Sequence, residues 1–293
     1  MKNLIIGIIA LSFVLISCTK EKKSLPTKIY FDDLGNRIEL TKNPERIISA
    51  APNLTEIIFA LGAGDLLVGR TNFCNYPEET NKIPVVGDMF HLNLEKIVDL
   101  NPDLIFLTVE GNTKELYDKL KNLGLNVYVT NPKNLSGIKK SIRDIGEILN
   151  REKEADSIIS DIEKRLNKIN SERFQRQTAM FVVSFSPLII AGKNTFIDEI
   201  LSSVNLENIA PEKSFSAYPM ISREEVINKN PDVILLPSIN FSIEKILEVY
   251  PEWKEINAIK KGKIIYVDQD LFFRPGPRFI DAIEFLQKEL SKH

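Results

Sequence analysis

Leu94-Glu95-Lys96-Ile97-Val98-Asp99-Leu100-Asn101-Pro102-Asp103-Leu104-Ile105 decides the fold, because the pattern occurs twice. Arg223-Glu224-Glu225-Val226-Ile227-Asn228-Lys229-Asn230-Pro231-Asp232-Val233-Ile234 aligns with it without a gap. In each copy a polar residue, Asn93 or Ser222, stands where a helix N-cap belongs. A short amphipathic run follows, Asn-Pro-Asp stops it, and an apolar run reads as a buried strand. Ser222 and Glu225 have the spacing of a capping box. Asn-Pro favours turns anywhere, so the triplet alone says little. The matched helix before it and strand after it argue for duplicated topology.

Outward from the first copy, Arg46 to Ala50 is a short apolar strand that runs into Ala51-Pro52-Asn53. Leu54 to Leu61 has helical spacing and is stopped by Gly62-Ala63-Gly64. Leu66 to Gly69 and Leu104 to Thr108 read as strands, Lys114 to Leu123 as a helix, and Asn126 to Thr130 as a strand. Around the second copy, Ala179 to Phe185, Val233 to Leu236 and Ile264 to Val267 are strand-like. Thr195 to Val204, Ser222 onward, Ser242 to Val249 and Pro277 to Lys288 are helical. Strands alternating with helices predict an α/β fold with mostly parallel central sheets. Between the halves, Ile138, Ile142, Ile145, Leu149, Ile158, Ile162, Leu166 and Ile169 form one apolar stripe with no proline. An unbroken helix over 135–175 would be about 60 Å long. The expected organisation is therefore an N-terminal lobe over 28–134, a bridging helix over 135–175 and a C-terminal lobe over 176–293. Two similar lobes joined in this way place a ligand in the cleft between them.

The first residues stand apart. Lys2 precedes an apolar run from Leu4 to Ile16, too short for a hydrocarbon core of about 30 Å and shaped like an export signal. Leu15-Ile16-Ser17-Cys18 looks like a bacterial lipobox. Residues 1–17 are thus expected to be a lipoprotein signal peptide, Cys18 the lipidated first residue and 18–27 a hydrophilic tether. Anchoring would be by acyl chains, with no span crossing the membrane. The remaining cysteine, Cys74, then has no partner in the chain and reads as a small buried apolar residue. Formal charge is −2 with 38 basic and 40 acidic residues, so nucleic acid is not an expected partner. No Gly-x-Ser-x-Gly elbow, His-Glu-x-x-His or phosphate loop is present, which argues against an exported enzyme. An adhesive lipoprotein would need neither two lobes nor an aromatic cleft.

Several segments resemble periplasmic vitamin B12-binding proteins of ABC importers. They are Ala51-Pro52-Asn53-Leu54-Thr55-Glu56, Phe73-Cys74-Asn75-Tyr76-Pro77, Asn93 to Val98, Ser222 to Val226 and Phe272-Phe273-Arg274-Pro275-Gly276-Pro277-Arg278. The resemblance runs from about Lys28 onward. The helix-start and Asn-Pro-Asp motifs also belong to haem and ferric-siderophore binders, whereas Phe-Cys-Asn-Tyr-Pro points to cobalamin. It implies a monomeric, extracytoplasmic receptor, lipid-anchored on the periplasmic or cell-surface side, that hands cobalamin to an ABC permease dimer. No cofactor and no catalysis are implied, and the alternative cargo is haem or a ferric siderophore. Glu95 and Glu224 correspond to the family's permease-docking glutamates. Both also fall in a helix's first turn, where the macrodipole favours a carboxylate whatever its partner.

A corrinoid pocket needs aromatic walls and a few hydrogen-bonding groups. The candidates are Phe73, Tyr76, Met89, Phe90, Phe185, Tyr218, Phe272, Phe273 and Arg274. Met89 and Tyr218 stand where relatives often place tryptophan, and the single tryptophan, Trp253, lies away from these motifs. Arg278 is expected to pair with a surface acid. His91 is the one candidate ligand for cobalt or haem iron, against the ordinary reading of a solvated loop histidine.

Overall fold

The computed structural model describes residues 27–170, 175–214, 216–238 and 242–292. The expected signal peptide, Cys18 and nearly all of the tether lie outside the described residues. An antiparallel hairpin opens the fold, β1 (Lys28–Phe31) with β2 (Arg37–Leu40). Its turn is built on Asp32, which accepts the backbone N–H groups of Leu34 and Asn36. The backbone N–H of Asp33 donates to Val129 O, tying the hairpin to the edge of the first sheet.

That sheet contains β3 (Ile47–Ser49), β4 (Leu67–Arg70), β5 (Leu104–Thr108) and β6 (Val127–Thr130). Its order is β4-β3-β5-β6, all parallel. The crossovers carry α1 (Pro52–Ala60), α2 (Leu94–Asp99) and α3 (Lys114–Asn122). Every residue of β5 and β6 is buried, as expected for strands covered on both faces.

The apolar stripe from Ile138 to Ile169 is carried by two helices, which corrects the expectation of one unbroken rod. These are α4 (Leu135–Ile148) and α5 (Glu152–Asn170). Between them Asn150 adopts φ 52°, a left-handed conformation that ends the first helix. Lys139 of α4 and Glu163 of α5 pair at 2.9 Å, so the helices lie alongside one another. α4 packs on α1. On the far side Arg165 of α5 makes a forked pair with Glu284, at 2.7 and 2.8 Å, and reaches Asp281.

The second lobe repeats the first. β7 (Gln177–Phe185), β8 (Leu188–Ile190), α6 (Phe196–Ser203), β9 (Leu206–Asn208), α7 (Arg223–Lys229) and β10 (Val233–Pro237) follow in turn. α8 (Ile243–Val249), α9 (Asn257–Lys260), β11 (Ile264–Val267), α10 (Gln269–Phe272) and α11 (Phe279–Leu290) complete the chain. The parallel strands run β9-β7-β10-β11, the same order as the first sheet, and β8 is added antiparallel to β7. The duplication read from the sequence therefore extends to the whole sheet. Its molecular basis is visible at the two stops: Asn101 has φ 43° and Asn230 has φ 45°. The following aspartates then do the same work. Asp103 accepts the backbone N–H groups of Glu45 and Arg46 ahead of β3. Asp232 accepts the N–H and hydroxyl of Thr178 at the start of β7. One continuous apolar core runs from Leu54 and Ile57 through Ile142 and Ile162 to Phe181 and Ile283, joining both lobes through α4 and α5. No described helix is long and apolar enough to cross a membrane.

Candidate functional site

In parallel α/β sheets, ligands bind outside the carboxyl ends of the strands, where neighbouring crossovers leave in opposite directions. In the first lobe that point lies between β3 and β5. The chain leaves β3 through Pro52 and Asn53, and β5 ends in Thr108 with Glu110 two residues on. All four line a cavity of about 180 Å³, together with Phe73 and Met89. The other wall comes from the second lobe, from Gln269, Asp270, Phe273, Arg274 and Pro275. The cavity is therefore the cleft between the lobes. A larger cavity of about 490 Å³ lies between the hairpin turn and α3, but the first lobe alone lines it. The site is assigned to the cleft because both lobes meet there and two of its buried polar atoms are unpaired. Asn53 Nδ2 and Thr108 Oγ1 have no hydrogen-bond partner, although both residues are buried.

Local chemistry holds these walls in place. Asn112 accepts the N–H of Thr108 and donates to Met89 O at 2.7 Å, sewing the Met89 loop to the end of β5. A Cβ on Gly111 would sit 2.0 Å from Met89 Cε, so glycine leaves the space that the Met89 side chain fills. Buried Arg70 donates to Thr80 O and Thr71 O, fixing the loop that carries Phe73 and Tyr76. Glu110 reaches solvent through the cleft, yet the protein around it desolvates its carboxyl and raises its pKa. Burial, and then the charge of Glu110, raise the Tyr218 phenol above its ordinary range.

An ion-pair cluster closes one side of the cleft. Glu56 on α1 is buried and accepts Arg274 Nη1 at 3.0 Å. It also takes a two-pronged contact from Arg278, Nε at 2.9 Å and Nη2 at 2.7 Å. Arg274 further pairs with Asp270 at 2.7 Å and donates to Asn75 Oδ1 and Phe73 O. The Arg278 guanidinium lies 3.9 Å from the Tyr76 ring centroid, a cation–π contact. Arg278 thus pairs with an acid as expected, but with a buried one on the opposite lobe.

The structure brings Phe73, Met89, Phe273 and Arg274 together at the cavity, whereas Tyr218, half-buried, is not part of its lining. Phe272 is corrected: its ring is fully buried, packed on Phe181 and Phe285, because the short α10 turns it into the core while Phe273 faces the cleft. Phe185 packs against Tyr250 and Trp253 in the second lobe's own core and does not line the cavity. Tyr76 and Phe90 are exposed outside the lining. His91 is also exposed, beside Asp88 at 3.3 Å, and no described cluster of His, Cys, Asp or Glu could hold a metal ion. Cys74 is buried, with its Sγ 3.1 Å from Thr71 Oγ1. Glu95 and Glu224 are exposed in the first turns of α2 and α7. Sequence reasoning missed Asn53, Thr108, Glu110, Gln269 and Asp270 as lining residues. The signal for the first three was their place just past the ends of two central strands.

Two repeated lobes, a helical bridge and a ligand cleft between the sheets define a solute-binding receptor, which carries out no bond chemistry. A family model described as periplasmic binding protein matches residues 47–271, and the chain belongs to that family. It is 33% identical over 273 residues to the uncharacterized ABC transporter substrate-binding lipoprotein YvrC of Bacillus subtilis, covering 89% of this chain and 85% of the relative. It is 29% identical over 252 residues to a vitamin B12-binding protein of Pectobacterium carotovorum, covering 85% and 89%. Among solved structures, the periplasmic vitamin B12 binding protein BtuF of Vibrio cholerae matches with a TM-score of 0.75 at 28% identity, covering 85% of this chain and 97% of that one. The haem-binding protein RhuT of a Roseiflexus species shares the fold, with a TM-score of 0.76 at 24% identity over 85% and 98%. The protein is an extracytoplasmic substrate-binding component of an ABC transporter.

Proposed function

We propose that this receptor captures a cobalamin-type corrinoid and delivers it to a permease dimer. One observation carries the reading: the cleft wall combines Phe73 and Met89 from one lobe with Phe273 from the other, around unpaired hydrogen-bonding groups. A broad ring system with amide edges needs that mixture of apolar face and polar rim. Relatives named for vitamin B12 binding, matched over most of their length, support the same cargo. Cys18 would carry the lipid anchor, in keeping with the lipoprotein name of the Bacillus relative. Glu95 and Glu224 would meet the permease, each from the first turn of an equivalent helix.

The test is a titration of the protein with cyanocobalamin, haemin and a ferric siderophore, followed by ligand absorbance. Saturable binding of cyanocobalamin is the expected result. Tight binding of haemin alone would remove the corrinoid assignment and return attention to His91.

A further inference from the structure

Asp270 and Arg274, two of the three charged residues lining the cleft, pair with each other, and Arg274 also holds Glu56. Arg278 completes this neutral cluster with both prongs on Glu56. The third, Glu110, makes no ion pair among the described residues, and it stands two positions beyond Thr108. Asn53 is 4% exposed and Thr108 is 2% exposed, yet Asn53 Nδ2 and Thr108 Oγ1 have no partner in the protein. Buried polar atoms left in this state are rare, and two in one cavity mark groups reserved for something that enters it. Both residues line the cleft with these atoms still covered, so a ligand that spreads the walls would meet an amide donor and a hydroxyl beside an uncompensated acid, with no free cation on the wall among the described residues.

From this arrangement, and resting on the reading of the cleft as the ligand site, we infer that Glu110, Asn53 and Thr108 form a specificity pole that accepts a neutral primary carboxamide of the ligand and rejects a carboxylate. A carboxamide satisfies all three at once. Its carbonyl accepts from Asn53 Nδ2 and the Thr108 hydroxyl, while its NH₂ donates to the Glu110 carboxylate. A carboxylate serves the first two equally well but sets a negative oxygen against Glu110, which no cation on the wall offsets. The desolvation that raises the Glu110 pKa is consistent with a carboxyl lacking a counter-ion. The cargo class is thus a bulky metal chelate with an amide-rich, uncharged edge, as opposed to one with peripheral carboxylates.

The experiment uses two matched pairs and Glu110→Gln in the detergent-solubilised full chain. One pair is cyanocobalamin and its monocarboxylic acid, with one peripheral amide hydrolysed. The other is a neutral ferric trihydroxamate capped as its N-succinamide, which ends in a primary carboxamide, and the matching N-succinylated acid. Haemin is a fifth ligand. Glutamine keeps an acceptor for the amide NH₂ but adds a donor for a carboxylate, so it should erase the discrimination and leave the fold intact. The wild type should bind the neutral member of a pair about tenfold or more tightly than the acid. In Glu110→Gln that ratio should fall to within about threefold, with an unchanged circular dichroism spectrum. An equal ratio in both proteins, or a wild type that takes the acid as readily as the amide, overturns the inference. Binding of the trihydroxamate pair without cobalamin removes the corrinoid reading while still testing Glu110. Binding of haemin alone, or of none of these ligands, overturns both.

Discussion

Glu56 holds two arginines from the opposite lobe on one buried carboxylate. Removing one member of such a cluster strands the others in a poor solvent, which costs far more than the pair itself contributes. Glu56→Ala is expected to lower unfolding stability by about 3 kcal/mol in a urea titration, with Glu56→Gln retaining part of it through its hydrogen-bonding oxygen. A loss under about 1 kcal/mol would mean that the arginines find water instead. This cluster was beyond sequence reasoning, because Arg278 lies 222 positions from its acid. The Phe-Phe pair shows a second limit. Phe272 and Phe273 have the same chemistry, and only the turn of a four-residue helix sends one into the core and the other to the cleft. Phe73 was legible because it sits in a motif loop that the fold delivers to the cavity, and Met89 because it stands where relatives often place tryptophan.

The repeated helix–stop–strand unit was readable because its chemistry is local. Asparagine ends each helix in a left-handed conformation, and the aspartate two residues on ties the incoming strand. Every non-glycine residue with positive φ among those described is asparagine, and Asn150 is one of them. The break between α4 and α5 was therefore written in the sequence, but without glycine or proline it was masked by the apolar stripe. Asp103 and Asp232 have lowered pKa values: burial raises them, and it is outweighed by Lys42 with backbone N–H groups at Asp103 and by Thr178 at Asp232. Their contribution is full above the unfolded carboxyl's 3.8 and is lost as the pH falls through the lower folded value. Asp103→Ala and Asp232→Ala should each cost about 1 kcal/mol at pH 7. In thermal melts that gap should narrow as the pH is taken below the unfolded value. A gap that persists in acid would assign the loss to packing instead of charge.

At the scale of the molecule, the common strand order places Glu95 and Glu224 at equivalent positions of the two lobes. Both are exposed, and each carries a charge that a two-fold partner could read in the same way twice. Replacing both with alanine is expected to abolish uptake in cells while ligand affinity stays unchanged; an equal loss of affinity would remove the docking role. The lobed architecture was legible from duplication, whereas the cleft's width was not, because it depends on contacts between lobes. As described, the lobes enclose only about 180 Å³, below the roughly 300–1,000 Å³ usual for a pocket that engulfs a drug-sized molecule. A large chelate must spread these walls, and the Glu56 cluster resists the spreading. Whatever free energy holds the walls together is then subtracted from the observed affinity, since only the spread fraction of molecules can bind. The cluster would act as a set-point for the receptor's sensitivity. Loosening it with Glu56→Gln should give a less stable protein that binds its ligand more tightly, measured by the same titration.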